Sequence, residues 1–182
     1  KKTPGESVVT HFSFDFGTEE SLTVLSTQGA AVSAMLIRGS KKYNREQLQE
    51  EFDKLKATVQ IVGALDKAFA KITTTKDNVV PALRLIAEVL MKPAFSKTEF
   101  ELYKNTLKVD LETNLQDPQT IAFNEYARRI NSYPKTQPRY VATIQEQLDE
   151  LEQLQHKDLK AFHKRFYGAS SMQVSVVGDF NK

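Results

Sequence analysis

The sequence predicts an α+β fold in which helices cover a largely antiparallel sheet. The predicted elements run strand, helix, helix, strand, strand, helices, strand, so that strands are grouped and do not alternate evenly with helices. A doubly wound parallel sheet would require that alternation. The chain has 182 residues, of which 40% are hydrophobic and 26% charged, which is sufficient for one domain with a buried core. We therefore expect residues 1–182 to form a single domain.

The first strand is predicted at residues 8–16, where apolar and polar side chains alternate. Three phenylalanines fall on one face, which is typical of a half-buried strand, and Gly17 ends the pattern. His11 and Asp15 share the opposite, polar face. They could form a proton-transfer pair, but solvated polar side chains are the ordinary content of such a face, and we favour that interpretation.

A long helix is predicted over residues 19–37, which are mostly small and apolar. The stretch has no charged face after Glu20, so the helix should be largely buried. Gly29 predicts a break or a weakened turn within it, because glycine lowers helix propensity. Gly39 is the expected stop, because glycine readily adopts the left-handed conformation that ends many helices.

A second helix and a β-hairpin should follow. Asn44 can cap the helix, with Gln47 three residues later completing a capping box. Apolar residues then alternate over 59–65, and a stretch rich in threonine and isoleucine follows at 69–75. We expect these two strands to pair as a hairpin through a turn at residues 66–67.

Two helices are predicted directly after the hairpin. Residues 79–91 have a helical period, and a proline follows their end. The apolar face of this helix is predicted to consist of Val79, Leu83, Ile86 and Leu90. The next helix has the clearest start in the sequence, since Ser96 and Glu99 fit a capping box that Phe95 and Phe100 flank as a hydrophobic staple. Its apolar stripe continues through Tyr103, Leu107, Leu111 and Leu115.

Three further helices and a final strand complete the predicted order. An Asp-Pro pair at 117–118 fits the cap and the first position of a helix. The apolar residues of that helix are Ile121, Ala122, Tyr126 and Ile130. Two prolines predict a loop at 131–139, and a Thr-x-x-Glu capping box at 143–146 begins another helix. The last helix ends at Gly168, and residues 172–177 form the last strand.

Composition excludes several classes of site. The chain has no cysteine, which excludes disulfides, thiolate zinc sites, iron–sulfur clusters and cysteine nucleophiles. Its formal net charge is only +2, which does not indicate a nucleic-acid-binding protein. The sequence has neither a glycine-rich phosphate loop nor a GxSxG motif. No stretch is apolar over the roughly 20 residues that a transmembrane helix requires.

Three histidines are present, at positions 11, 156 and 163, and they could bind a metal only if they converged. If one helix contains His156 and His163, they are two turns apart, which is about 10 Å along the helix axis. Two ligands of one zinc ion lie about 3–4 Å from each other, so we expect no shared metal. Basic residues cluster around Arg38 and around Lys164 beside acidic neighbours, and we interpret both clusters as solvated helix surfaces rather than anion sites.

Four phrases together resemble one known family. They are MLIRGS at 35–40, the stretch 95–118 that ends in an Asp-Pro pair, the stretch 133–168 that ends in LKAFHKRFYG, and VVGDF at 176–180. In order and spacing these phrases are similar to the pitrilysin/insulinase family of zinc metallopeptidases, which includes the processing-peptidase subunits. The resemblance covers about residues 7–180 and implies the α+β domain fold of the processing peptidases.

The zinc motif of that family has no counterpart in this sequence. Active members of the family that this sequence resembles share an H-x-x-E-H motif. Its histidines bind zinc, and its glutamate is the general base for the attacking water. The matching stretch has Ala30 and Ala34 in place of the histidines and Ser33 in place of the glutamate. The third ligand of the family, a glutamate, would fall near 110–112. The resemblance thus implies the fold without the zinc site, no catalytic, metal-binding or cofactor residues, and no identified substrate-binding residue.

The resemblance implies a noncatalytic domain from a degenerate half of a zinc peptidase. In this family two gene-duplicated halves enclose a chamber around unfolded peptide, and the other half holds the zinc. We therefore expect this domain to help form the peptide-binding chamber, to dock to the zinc-bearing half, and to have no peptidase activity alone. The Arg/Tyr pair by which such halves hold substrate belongs to a following domain, so Arg139 and Tyr140 are not assigned that role.

Two other functions stay open at this point. The domain could be a purely structural subunit without a proteolytic role, like the core subunits of respiratory complexes that share this fold. It could also be an enzyme of unrelated chemistry that uses His11 and Asp15. From the resemblance we further expect the chain to be part of a longer multi-domain polypeptide and to be located in the bacterial periplasm or cell envelope.

Overall fold

A computed structural model describes residues 6–18, 20–22, 25–64, 66–168 and 172–179, which contain four strands and seven α-helices. The strands are β1 Ser7–Asp15, β2 Thr58–Ala64, β3 Lys67–Thr75 and β4 Met172–Gly178. The helices are α1 Ser26–Leu36, α2 Arg45–Lys54, α3 Val79–Met91, α4 Lys97–Asn114, α5 Pro118–Ile130, α6 Ile144–Gln153 and α7 His156–Phe166. The predicted α+β fold class is confirmed. Glu19, Leu65 and Phe180, which belong to predicted elements or phrases, lie outside the described residues.

The sheet is antiparallel throughout, with the strand order β2-β3-β1-β4. The first predicted strand is central, and its His11 stands between Lys71 of β3 and Ser175 of β4. The predicted hairpin is formed by β2 and β3. Among the described residues, β2 and β4 are therefore the edge strands of the sheet.

Helices cover one face of this sheet. Along β1 the residues Val8, Thr10, Phe12 and Phe14 are buried, while the residues between them face the other side. On the covered face α1 packs along β2 and α7 packs against α1, with α4 and α6 paired further out. Ring contacts join the β1 end to α7 through Phe14, Phe16, Phe162, Phe166 and Tyr167. Burying one phenylalanine contributes about 1.5–3 kcal/mol, so this ring cluster is a major part of the core.

The first helix differs from its prediction. It begins only at Ser26 and runs through Gly29 to Leu36 without a break. A β-carbon at Gly29 would stand 3.1 Å from the ζ carbon of Phe162 on α7. The glycine therefore permits a close approach of two helices instead of interrupting one. Gly39 lies beyond the helix end with a φ of +133°, a conformation that favours glycine.

Most of the predicted helix starts are confirmed. The capping boxes of Asn44 with Gln47 and of Thr143 with Glu146 are present, as is the Asp117 cap. Ser96 precedes α4 as predicted, but its side chain makes no capping hydrogen bond. Its expected partner Glu99 instead pairs with Arg38 and Arg45, at 3.2 Å and 3.5 Å between the nearest N and O atoms. The predicted capping box of α4 is therefore wrong, because two cations from elsewhere in the chain bind its carboxylate.

Two predicted apolar faces also differ from the structure. In α3, Ile86 and Leu90 are buried, but Val79 and Leu83 are only half-buried at the margin of the face. The face that packs on the sheet is rotated, and its other members are Ala82, Leu85 and Val89. In α5, none of the residues is buried, so the predicted apolar face of that helix points away from the core. None of the helices within the described ranges combines the length and apolarity required to cross a membrane.

Candidate functional site

The stretch that corresponds to the zinc motif lies on α1, beside a wide cleft. Ala30 is exposed, Ala34 lines the cleft, and Ser33 is buried with 1% of its surface exposed. Ala30 and Ala34 are one turn apart and therefore lie on the same face of the helix. Because methyl groups have no lone pair, neither position can bind a metal ion.

Ser33, which the resemblance aligns with the general base, is enclosed by packing. Its hydroxyl donates to the carbonyl of Gly29 at 3.0 Å, and it lies 2.9 Å from the hydroxyl of Tyr167. A β-carbon at Gly63 of β2 would stand only 2.3 Å from the Ser33 Oγ. The serine side chain thus fills the space between α1, β2 and the end of α7. A glutamate at this position would fit only if Tyr167 or β2 moved.

Tyr167 and His163 form a half-buried, stacked pair next to Ser33. Their ring centroids are 5.1 Å apart, and the ring planes differ by 17°. Burial raises the pKa of Tyr167 to about 12 and lowers the pKa of His163, so both groups are neutral near pH 7. The Nε2 of His163 lies 2.7 Å from the carbonyl of Leu90, which can only accept, so this nitrogen holds the proton. The hydrogen bonds to Leu90 and Ser33 hold both rings in place, so the pair stabilises the packing of α7.

The other two histidines do not belong to this pair. The Nε2 of His156 hydrogen-bonds the carbonyl of Phe95, and His11 is exposed on the open face of the sheet. His11 and Asp15 are four residues apart along a strand, which is about 13 Å, and Asp15 pairs with Lys67 at 3.0 Å. That separation contradicts a proton-transfer pair. Among the described residues, no three histidine, aspartate or glutamate side chains are placed to hold a metal ion.

The segment expected to contain the third ligand lies on α4. Asp110 and Glu112 are exposed, and Leu111 between them is buried. From α4, only Glu99 and Leu102 line the cleft beside α1. The structure therefore does not bring a carboxylate from 110–112 to the positions that replace the motif histidines.

The cleft has a volume of about 1420 Å³ and lies between α1, α2, β2 and the start of α4. Its apolar lining comes mainly from the segment before and within β2, and includes Phe52, Ala57, Val59 and Ile61. Because β2 is an edge strand of the described sheet, one side of its backbone has no strand partner there. Such an edge can accept an extended peptide as an additional strand through main-chain hydrogen bonds.

Charged residues of both signs surround the cleft. Arg38, with 18% of its side chain exposed, pairs with Glu99 and lies 5.8 Å from the ring centroid of Tyr103. The interpretation of the Arg38 cluster as a solvated basic surface is therefore wrong for this residue. The pairing joins residues 61 positions apart, so no local pattern in the sequence could identify it. On the α2 side, acidic residues line the cleft: Glu46, Glu50 and Asp53.

Comparisons with known proteins identify the fold and a family. The family model described as Insulinase (Peptidase family M16) matches residues 28–138. The peptidase M16 inactive domain from Pseudomonas fluorescens is similar with a TM-score of 0.82 and 24% identity, over 97% of this chain and 42% of that chain. A protease from Helicobacter pylori is similar with a TM-score of 0.78 and 17% identity, over 99% and 42% of the two chains. A conserved protein from Enterococcus faecalis V583 gives 0.75 and 17%, over 97% and 44%.

This chain spans less than half of the length of each of these three solved structures. At such low sequence identities, the structural similarity establishes a shared fold. Family membership rests on the match of the family model to residues 28–138. No curated protein matches the chain.

Proposed function

The chain belongs to the insulinase family of peptidases, and from this we propose that it forms a wall of a peptide-binding chamber and docks to a zinc-bearing half. Membership rests on a match that covers more than half of the chain. The domain is noncatalytic because the H-x-x-E-H motif is missing at 30–34. Under this proposal the domain binds no cofactor itself, and the partner half supplies both the zinc and the base. Location in the bacterial periplasm or cell envelope is part of the same proposal.

One observation supports the peptide-binding role more than any other, namely the position of the cleft. It runs along the free edge of β2 and reaches Ala34, one of the former ligand positions. Pockets for small molecules are roughly 300–1,000 Å³, whereas this open cleft is about 1420 Å³, which suits a polymer. Hydrogen bonds to the β2 backbone would hold an extended peptide largely independently of its sequence.

The apolar and charged parts of the cleft have separate roles in this proposal. Val59 and Ile61 would contact every second side chain of an added strand, because side chains alternate along it. Glu99 balances one of the two positive charges of Arg38 and Arg45. Three further carboxylates on α2 line the cleft: Glu46, Glu50 and Asp53. Both signs of charge are therefore present, and we expect the cleft to bind unfolded peptides of varied composition.

Blocking the cleft tests this proposal. Ala34→Trp places an indole ring in the cleft, and Ala161→Trp on the exposed side of α7 is the matched control. A fluorescently labelled, unstructured 15-residue peptide, a length of about 50 Å when extended, is titrated with each protein while its anisotropy is measured. We expect unchanged binding for Ala161→Trp and several-fold weaker binding for Ala34→Trp, with circular dichroism confirming that both variants fold.

Two results would contradict the proposal. Equal affinities of all three proteins would exclude this cleft as the binding site. If the unsubstituted protein bound no peptide at all, even at millimolar concentration, the peptide-binding role would have to be abandoned.

A further inference from the structure

Two histidines of α7 hold the chain between α3 and α4. We call residues 92–96 the α3–α4 connection. The Nε2 of His163 donates to the carbonyl of Leu90 at 2.7 Å, just before the connection. The Nε2 of His156 hydrogen-bonds the carbonyl of Phe95 within it. The two histidines are two helical turns apart and lie on one side of α7, which therefore holds the connection near both of its ends.

The bond from His163 replaces one that the backbone does not make. The last carbonyls of an α-helix have no partner within the helix. The amide that would continue α3 to Leu90 is that of Ala94, and it donates instead to the carbonyl of Gly39 at 3.1 Å. The imidazole of His163 therefore supplies the hydrogen bond that the Leu90 carbonyl would otherwise lack.

Phe95 has an unfavourable backbone conformation within this connection. Its φ is +43°, in the left-handed region that bulky residues rarely adopt, although only 4% of its surface is exposed. Such a conformation persists only where the surrounding structure holds it. On the α7 side, His156 contacts the Phe95 carbonyl, and the ring centroid of His163 lies 5.5 Å from that of Phe95. Loss of these contacts would allow Phe95 to take up an ordinary conformation.

We propose that the α3–α4 connection is an acid-sensitive latch, in which protonation of His163 releases α7 from the connection and lets Phe95 leave its strained conformation. The ring of His163 contacts the rings of Phe95 and Tyr167, where an imidazolium ion is less well solvated than in water. Its Nδ1 has no hydrogen-bond acceptor among the described residues, so a second ring proton would have no partner there. The latch does not depend on peptide binding in the cleft.

Acid should open the latch and not close it. Burial lowers the pKa of His163 more than the hydrogen bond to Leu90 raises it. In the released form the imidazole regains its ordinary pKa of about 6.5. The released form therefore binds the proton more tightly, so the latch is closed at neutral pH and loosens as the pH falls below about 6.5.

No charged group counteracts this effect. Tyr167 faces the His163 ring directly and stays neutral, because burial raises its pKa to about 12. From α3 and the connection, the facing groups are the Leu90 carbonyl and the Phe95 ring, and neither titrates. The residues that can carry a charge next to the contact along the chain are His156, Lys160 and Lys164 on α7 and Glu88 and Lys92 around the end of α3. The two α7 lysines are exposed, the last two residues pair with each other at 3.6 Å, and none of the five shifts the pKa of His163.

Hydrogen exchange followed by mass spectrometry tests the latch in the complete polypeptide that contains this domain. His163→Gln keeps a side-chain N–H that can donate to Leu90 but does not titrate. His11→Gln, at an exposed histidine on the open face of the sheet, is the matched control. Exchange is compared at about pH 7.5 and about pH 5.5, on either side of the ordinary imidazole pKa, after correction for the intrinsic rates. At the lower pH we expect residues 90–100 and 156–167 to lose protection several-fold in the unsubstituted protein and in His11→Gln, but not in His163→Gln.

The other outcomes overturn the latch. Unchanged protection in the unsubstituted protein would show that acid does not open the contact, and equal losses in all three proteins would assign the effect to another group. A loss that extends equally to β3 would show that the whole domain unfolds. If His163→Gln does not fold, the slow exchange of the imidazole C–H gives the pKa of His163 in the unsubstituted protein. We expect a value below about 6.5, and a value at or above it would show that protonation does not oppose the closed form.

Discussion

Ser33 and Gly63 form a close contact between α1 and β2, and this contact explains why the base position cannot hold a carboxylate. A β-carbon at residue 63 would stand only 2.3 Å from the hydroxyl oxygen of Ser33. That oxygen also contacts Tyr167 at 2.9 Å. A larger side chain at position 33 or 63 would therefore push α1 away from the sheet.

At this contact we predict that Gly63→Ala and Ser33→Ala are not additive. Gly63→Ala overpacks the contact and should lower the free energy of unfolding by about 1–3 kcal/mol. Ser33→Ala loses the bonds to Gly29 and Tyr167, at about 0.5–1.5 kcal/mol. In the double variant the closest clashing atom, the Ser33 Oγ, is gone and the Gly29 carbonyl oxygen at 3.0 Å remains, so the loss should be smaller than the sum of the two. Urea unfolding of all four proteins measures this, and additive values would contradict the packing described for Ser33.

At a single position, the sequence is sufficient for a prediction when the residue type alone determines the chemistry of that position. The missing zinc ligands at Ala30 and Ala34 are of this kind, because alanine cannot bind a metal in any fold. The surroundings of Ser33 could not be predicted, since Gly63 and Tyr167 come from distant parts of the chain. For the same reason the sequence does not predict that Arg38 pairs with Glu99.

The N-cap residues of α4 and α6 differ in the hydrogen bonds that they make, although the two sequence patterns look alike. At α6, Thr143 accepts the backbone N–H of Glu146 at 3.0 Å, and the Glu146 carboxylate accepts the backbone N–H of Thr143 at 2.9 Å. The hydrogen bond to Lys135 and the one to the Thr143 backbone lower the pKa of Glu146 to about 2. At α4, Ser96 makes no such bond.

For these two helices we predict unequal effects of the same substitution. Thr143→Ala removes a formed cap and should destabilise the protein by about 0.5–2 kcal/mol. Ser96→Ala is the matched control at a cap position without a side-chain bond, and should change stability by only a few tenths of a kcal/mol. The denaturant midpoints of the two variants measure both changes in stability, provided that the free energy of unfolding falls with denaturant concentration at the same slope. A loss at Ser96 as large as that at Thr143 would show that the α4 capping box forms in solution.

Local patterns predict elements well but not their orientation. The boxes at α2 and α6 need only residues within one turn, so the sequence identifies them. The α4 box does not form because Arg38, in the loop after α1, and Arg45, the first residue of α2, pair with the Glu99 carboxylate. The sequence predicts α5 as a helix, but none of its apolar residues is buried, because periodicity does not say whether a side chain points to the core or to solvent.

At the scale of the whole molecule, the fold class follows from the grouping of strands along the chain, whereas the strand order does not. The central strand β1 pairs with β4, in a register that joins His11 to Ser175. A pairing over that distance leaves no local signal in the sequence. The cleft depends on this order, because β2 has a free edge only when β1 and β3 take the interior positions.

The isolated domain should be insensitive to metal ions. A bound zinc ion would stabilise the folded state by about 2.7 kcal/mol at a concentration 100 times its Kd. We predict that neither EDTA nor added zinc changes the melting temperature, because Ala30 and Ala34, which the resemblance aligns with the histidine ligands, cannot bind a metal ion. Differential scanning calorimetry measures this. A rise of several degrees with zinc, reversed by EDTA, would contradict the absence of a site.

The same reasoning predicts how the domain acts together with a zinc-bearing half. Alone, it should hydrolyse no peptide, because Ser33 is buried and offers no base to a water molecule. Added to the zinc-bearing half, it should raise peptidase activity, since an extended peptide would then contact the cleft along β2. Ala34→Trp should still form the complex in gel filtration but should raise the activity less. If the domain and its Ala34→Trp variant form the complex and neither affects cleavage, the domain is a structural subunit, and the chamber role is wrong.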